Sequence, residues 1–156
     1  MFLGAAAYAS DANTRLAFGK LNPTKYGVLP VLLVVKNSGS ETLNLARLRV
    51  SYVDLNRQSI ENIPPQDIPY LRGPEAPKSP SPIPKGKNKN PLAAMEIETR
   101  AFAAKMLPAG ESAHGFFYFQ APHRSGAMLY VTGVEEARTG RELFYAEVPI
   151  GDPVHR

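Results

Sequence analysis

The sequence predicts an all-β chain: an antiparallel β-sandwich of about seven strands, with a proline-rich loop and one helix set between its halves. Three observations lead there. The longest unbroken apolar run, Val28-Leu29-Pro30-Val31-Leu32-Leu33-Val34-Val35, is rich in β-branched residues and closes on Lys36-Asn37-Ser38-Gly39. A run this short, bounded by turn residues, marks a strand buried on both faces rather than a helix. Several further segments alternate apolar with polar residues, the pattern of an antiparallel sheet with one wet face. Turn residues separate these segments at intervals that suit an immunoglobulin-like layout.

The bulk properties agree with one folded domain over residues 1–156. A chain of 156 residues buries a sizeable core, and a hydrophobic fraction of 44% supplies it. Lys+Arg 18 against Asp+Glu 14 gives +4, too small a surplus to argue for nucleic acid. The absence of cysteine excludes disulfides, thiolate metal sites and cysteine nucleophiles. No stretch reaches the roughly 20 apolar residues of a membrane helix. Met1 to Ala9 is apolar and Ala7-Tyr8-Ala9 mimics a signal cleavage site. The first basic residue, however, is Arg15, so the segment lacks a basic leader region and reads as a strand.

In chain order, Phe2 to Ala9 is expected as an edge strand and Ser10-Asp11-Ala12-Asn13 as a turn. Thr14 to Phe18 alternates, with Leu16 and Phe18 facing inward. Gly19 to Pro23 is a loop. Pro30 sits near the start of the central strand, where a missing N–H is tolerated. Asn37-Ser38-Gly39-Ser40 is a hairpin connection. Leu45 to Asp54 follows as a strand, with Leu48, Val50 and Tyr52 against Arg47, Arg49 and Ser51. Gln58 to Ile63 is a short further strand.

From Pro64 to Pro91 the texture changes. Nine prolines crowd this stretch, which excludes helix and ladder and predicts an extended excursion. Asn90-Pro91 then reads as a helix start. Leu92, Met95, Thr99, Phe102 and Met106 form one apolar stripe, with Glu96 and Arg100 paired on the other side. Pro108-Ala109-Gly110 stops it. Loop and helix together make an insertion over 64–107. Three strands close the domain: His114 to Gln120, Ala127 to Glu135 and Glu142 to Ile150. Phe144, Ala146, Val148 and Ile150 share one face of the last, and Gly140 supplies the positive φ of the turn before it. Phe117 and Phe119 share one face of their strand, Phe116 and Tyr118 the other. If a sheet covers one face and the inserted helix the other, all four are core.

Catalytic patterns are weak. Gly110-Glu111-Ser112-Ala113-His114-Gly115 misses the nucleophile elbow, because His114 stands where the second glycine belongs and a strand follows. His114, His123 and His155 are too scattered for a zinc site and read as surface histidines. Gly86-Lys87 lacks the earlier glycine and the hydroxyl residue of a phosphate loop. No metal or cofactor is expected. The most distinctive candidate contact is the set Lys78, Lys85, Lys87 and Lys89, on a semi-rigid arm able to present positive charge to an anionic partner. No aromatic residue lies between Leu71 and Leu92, so the stacking groups of a single-strand nucleic-acid binder are missing there.

Three segments taken together resemble a known group: Ala17-Phe18-Gly19-Lys20; Gly27 through Val31 to Lys36-Asn37; and Leu107-Pro108-Ala109-Gly110-Glu111 leading into Gly115-Phe116-Phe117-Tyr118-Phe119. The chain resembles uncharacterised bacterial cell-envelope proteins with an immunoglobulin-like sandwich. The resemblance implies an extracytoplasmic, secreted or lipid-anchored protein and brings no catalytic residues. The expected function is therefore a non-enzymatic binding or structural domain of the envelope, acting through protein–protein contacts. The alternative is a small-molecule-binding or hydrolytic domain with a site around Asp54, His114 and Tyr118. Self-association through exposed edge strands is a further expectation.

Overall fold

The structure is a computed structural model, and it describes residues 1–71, 92, 95–143 and 145–152. Ten strands lie among them: β1 (Phe2–Ala7), β2 (Leu29–Lys36), β3 (Leu43–Asn44), β4 (Arg49–Val53), β5 (Ser59–Glu61), β6 (Met106–Leu107), β7 (Ser112–Phe119), β8 (Met128–Thr132), β9 (Glu135–Glu136) and β10 (Ala146–Gly151). Two short helices, α1 (Asp11–Phe18) and α2 (Met95–Thr99), and 3₁₀ segments at Pro23–Tyr26 and Pro65–Tyr70 accompany them. The chain is predominantly β.

Seven strands form one sheet in the order β5-β4-β8-β10-β1-β2-β7, and three form a small sheet, β6-β3-β9. The large sheet curls. The rings of Tyr52 on β4 and Phe119 on β7 lie 5.8 Å apart, although four strands separate β4 from β7 in the sheet. Beyond β5, Ile63 also donates its N–H to the Tyr118 carbonyl at 2.7 Å, tying one end of the sheet back to the other. Inside the curl lies one apolar core. It takes Val31, Leu33 and Val35 from β2, Phe117 and Phe119 from β7, Leu129 and Val131 from β8 and Val148 from β10. Leu43 and Leu107 of the small sheet join the same core.

The pairing of β2 with β7 is the spine. All eight residues of each are in register, from Leu29 opposite Phe119 to Lys36 opposite Ser112. Pairing sets the faces, so Leu32, Phe116 and Tyr118 point outward together. A second cluster covers them: Phe18 from α1, Val28, Ile68, Leu92 and Ile97 of α2. The aromatic run is thus core on both faces, because both are covered. Gly115 makes this possible. A Cβ there would stand 2.3 Å from Phe102 Cα, so only glycine admits the crossing backbone.

Several expectations are corrected. The first strand is not an edge: β1 is hydrogen-bonded to β2 on one side and runs parallel to β10 on the other. Self-association through that strand loses its basis, and the sheet is not purely antiparallel. Thr14 to Phe18 is helical, because Ser10 acts as an N-cap, its Oγ accepting from the Asn13 N–H, with Asp11 in the first turn. Thr14 and Phe18, four apart, are buried, while Leu16 is 67% exposed. Asn37 to Ser40 is no hairpin: it carries the chain from the large sheet to β3 in the small one. Residues 45–48 turn before β4 begins. The prolines at 64–70 do not exclude helix, since Pro65 at the first turn starts a 3₁₀ segment.

The amphipathic stripe is also corrected. α2 spans five residues only, with Ile97 buried and Met95 75% exposed. Phe102 leaves the helix because its N–H bonds the Phe116 carbonyl at 3.0 Å, and Met106 belongs to β6. Sheet pairing outcompetes the local helical period. The proline- and lysine-rich stretch holding Lys78, Lys85, Lys87 and Lys89 lies outside the described residues, as do Phe144 and His155.

Candidate binding face

The two halves of the large sheet differ on their outer side. Over β2 and β7 the outer side is covered by the helical segments. Over β5, β4, β8 and β10 that apolar cluster contributes nothing. Strand alternation sends Val50, Tyr52, Leu129, Val131 and Val148 into the core, so their neighbours point outward. Two outward rows result from the register. One runs Glu61, Ser51, Tyr130, Glu147; the next runs Ser59, Val53, Met128, Pro149.

A cleft of about 520 Å³ lies over this half. Its apolar part is Val53, Leu55, Met128 and Tyr130; Asp54, Arg57 and Glu147 stand among the lining groups. Leu55 is 73% exposed at the edge of this cleft. Tyr130 stacks on Tyr145 with centroids 4.9 Å apart and planes at 21°. The β4–β5 turn that forms one wall is held by Asp54. Its Oδ1 accepts from the Asn56 N–H at 2.8 Å and the Gln58 N–H at 3.0 Å. Arg57 in that turn has φ 62, the one non-glycine positive φ among the described residues.

The three residues of the alternative reading are placed apart. Asp54 is the turn brace just described, and its cleft contains neither His114 nor Tyr118. His114 is exposed on β7, opposite Val34. Tyr118 is buried, and its hydroxyl donates to the Ile97 carbonyl at 2.7 Å. Burial pushes the Tyr118 phenol well above its usual range, so it stays neutral. Ser112 and His114 are both exposed on one side of β7, two residues apart, and no hydrogen bond joins them. Among the described residues no group of three or more His, Asp or Glu is placed to hold a metal. Among them, too, no helix is long and apolar enough to cross a membrane.

One polar group was misjudged from sequence. His123 is half-buried rather than a free surface residue, with Nδ1 3.4 Å from the Tyr52 hydroxyl. That hydroxyl also accepts the Arg124 N–H at 2.9 Å; which way the proton lies between it and His123 Nδ1 is set by the imidazole tautomer. Desolvation lowers the His123 pKa, opposed by the Asp152 carboxylate, and desolvation raises that of Tyr52. Pro122 beside His123 suggested an exposed loop; only the inward Tyr52 reveals the anchor. A second cleft of about 390 Å³ beside α1 gathers Asp11, Arg15, Lys20 and Lys25. Asp11 there pairs with Lys25 at 3.6 Å, in full contact with solvent.

No protein-family model matches this chain, and no curated protein matches it significantly.

Proposed function

We propose that the protein is a non-enzymatic recognition domain of the bacterial cell envelope that engages another protein through the uncovered half of its sheet. The observation that supports this is the asymmetry of the large sheet. One half is covered by helical segments over Leu32, Phe116 and Tyr118, while the other presents two ordered rows of side chains and a cleft. A hydrogen-bonded sheet whose outer side is free of that cover among the described residues suits recognition, since little ordering is lost on docking. The extracytoplasmic setting follows from the resemblance of the three sequence segments. Lys78, Lys85, Lys87 and Lys89 form a second contact for the acidic part of such a partner.

A photo-crosslinking residue placed at Glu61 or Glu147, both exposed, tests this in the native host. The expected result is one partner protein captured from both positions and not from Lys20 beside α1. Equal capture from Lys20, or no protein capture from the sheet face, refutes the reading. Capture that persists when residues 74–90 are deleted removes the lysines from the account. A small-molecule reading is favoured by one observation, the cleft itself, and it moves the site away from His114 and Tyr118.

A further inference from the structure

The cleft beside α1 gathers more positive charge than the fold pairs. Its charged lining is Asp11, Arg15, Lys20 and Lys25, three cations against one carboxylate. We propose that this cleft binds the phosphate group of a small phosphomonoester, with Arg15 and Lys20 as the unpaired cations that receive it. The site shares no residue with the sheet face above and does not rest on the partner-protein reading.

Local sequence builds the cleft. Ser10 caps α1, and Gly19 ends it at φ 64, donating its N–H to the Arg15 carbonyl at 3.2 Å. A Cβ on Gly19 would meet nothing within 4 Å, so the backbone angle and not the space favours glycine. The chain turns there, and Lys20, Asn22 and Lys25 then line one cleft with Asp11 and Arg15. Asn22 ties the two sides together. Its amide donates to the Asp11 carboxylate, and its Oδ1 accepts the Thr24 N–H at 3.0 Å at the head of the 3₁₀ segment.

The one carboxylate is already engaged. Asp11 accepts from Asn22 and stands 3.6 Å from the Lys25 ammonium. The Asn22 hydrogen bond, and then the Lys25 charge, hold its pKa below the ordinary carboxylate value, so it stays ionised near neutral pH. Arg15 and Lys20 have no ion-pair partner among the described residues. From Ala12 to Ser40 the chain has no carboxylate. Glu96 and Glu98 of α2, which packs against α1, do not line the cleft. The lining therefore keeps a surplus of two positive charges. A phosphomonoester is a dianion above its second pKa of about 6. It offers several acceptor oxygens to a guanidinium fork and an ammonium group. The cleft of about 390 Å³ is larger than a phosphate alone and lies within the roughly 300–1,000 Å³ of small-ligand sites. Leu21 and Tyr26 complete its wall and give the organic part of the ester an apolar surface.

Backbone-amide NMR of the full chain, titrated with phenyl phosphate, tests this. Amides from Asp11 to Tyr26 are expected to shift saturably at millimolar ester, and not with sodium chloride of the same ionic strength. Tighter binding of the ester than of inorganic phosphate upholds the proposal; equal binding overturns the ester in favour of free phosphate. Arg15→Gln and Lys20→Gln should each weaken binding about three- to fivefold. Lys36→Gln, the same charge loss outside the cleft, should leave it unchanged. Asp11→Asn should tighten binding, because the competing carboxylate goes while an acceptor for Asn22 remains. Arg15 and Lys20 are exposed, so their variants should keep the urea midpoint of the parent. Lowering the pH from about 7.5 to about 5.5 should weaken binding as the ester loses its second charge, and no histidine lines the cleft to mimic that effect. No saturable shift beyond that of sodium chloride, shifts scattered over the surface, an equal loss in Lys36→Gln, or weaker binding in Asp11→Asn each overturns the proposal.

Discussion

Replacing Gly115 by alanine puts a methyl where the backbone of residues 101–102 crosses β7. The new Cβ would meet Phe102 Cα at 2.3 Å and Phe102 N at 2.6 Å, against ordinary contact from 3.4 Å. The crossing segment must therefore withdraw by 3.4 − 2.3 = 1.1 Å. Two hydrogen bonds span that gap: Phe116 N–H to the Arg100 carbonyl at 2.9 Å and Phe102 N–H to the Phe116 carbonyl at 3.0 Å. Stretched by such a shift, neither survives. Two lost bonds amount to about 2 kcal/mol, and the overpacking adds about 1–3 kcal/mol. Alanine's lower chain entropy in a strand returns roughly 0.5–1 kcal/mol. The net expectation is a loss of about 2–4 kcal/mol. Gly4 on β1 is the control, because a Cβ there meets nothing within 4 Å. Gly4→Ala should be neutral or slightly stabilising. With seven tyrosines and no tryptophan, urea unfolding followed by tyrosine fluorescence and circular dichroism reads both midpoints. A Gly115→Ala midpoint equal to that of the parent, or a Gly4→Ala loss of the same size, would show that the close approach is not what selects glycine.

Asn37→Ala should destabilise by about 2–4 kcal/mol. The buried amide donates to the Glu41 and Leu107 carbonyls at 2.7 and 3.0 Å and accepts from the Gly39 N–H, and a merely local turn residue would lose far less in urea. Tyr118→Phe should remove about 1–2 kcal/mol by orphaning the Ile97 carbonyl; faster amide exchange around α2 would locate the loss, and an unchanged midpoint would contradict it. His123 makes stability pH-dependent. Its folded pKa lies below the ordinary 6.5, so the unfolded chain takes up the proton first as pH falls. The contribution is complete above about 6.5 and declines as pH drops through that value. The urea midpoint should fall between about pH 7.5 and pH 5.5, and His123→Gln should flatten that slope; an identical slope in the variant refutes the assignment.

The strands on the strongest patterns were legible: β2 is a short β-branched apolar run bounded by turn residues, and β7 and β8 lie on an aromatic run and an alternating one. Alternation sorted Phe116 to Phe119 onto two faces; that both are buried was decided by the segments that cover Phe116 and Tyr118. The candidate site was not legible. Asp54 was singled out, but of its companions in the cleft only Arg57 is a neighbour in sequence; Met128, Tyr130 and Glu147 come from two distant stretches of chain that only the sheet order brings together. Asn37 read as a turn residue because its sequence context is a turn; its role of joining two sheets depends on Leu107, seventy residues away.

What the sequence determined by itself is the buried face of the longer strands, because a period of two is a local property; over the short alternation of Thr14 to Phe18 it misled, since that segment is helical. The tertiary structure decided their neighbours. It placed β1 inside the sheet, ended the stripe from Leu92 to Met106 with α2 at Met95–Thr99 and Met106 in β6, and left the outer side of β4, β8 and β10 outside the second apolar cluster among the described residues. Those outcomes turn on hydrogen bonds between residues far apart in the chain, and such pairings leave no trace in local composition.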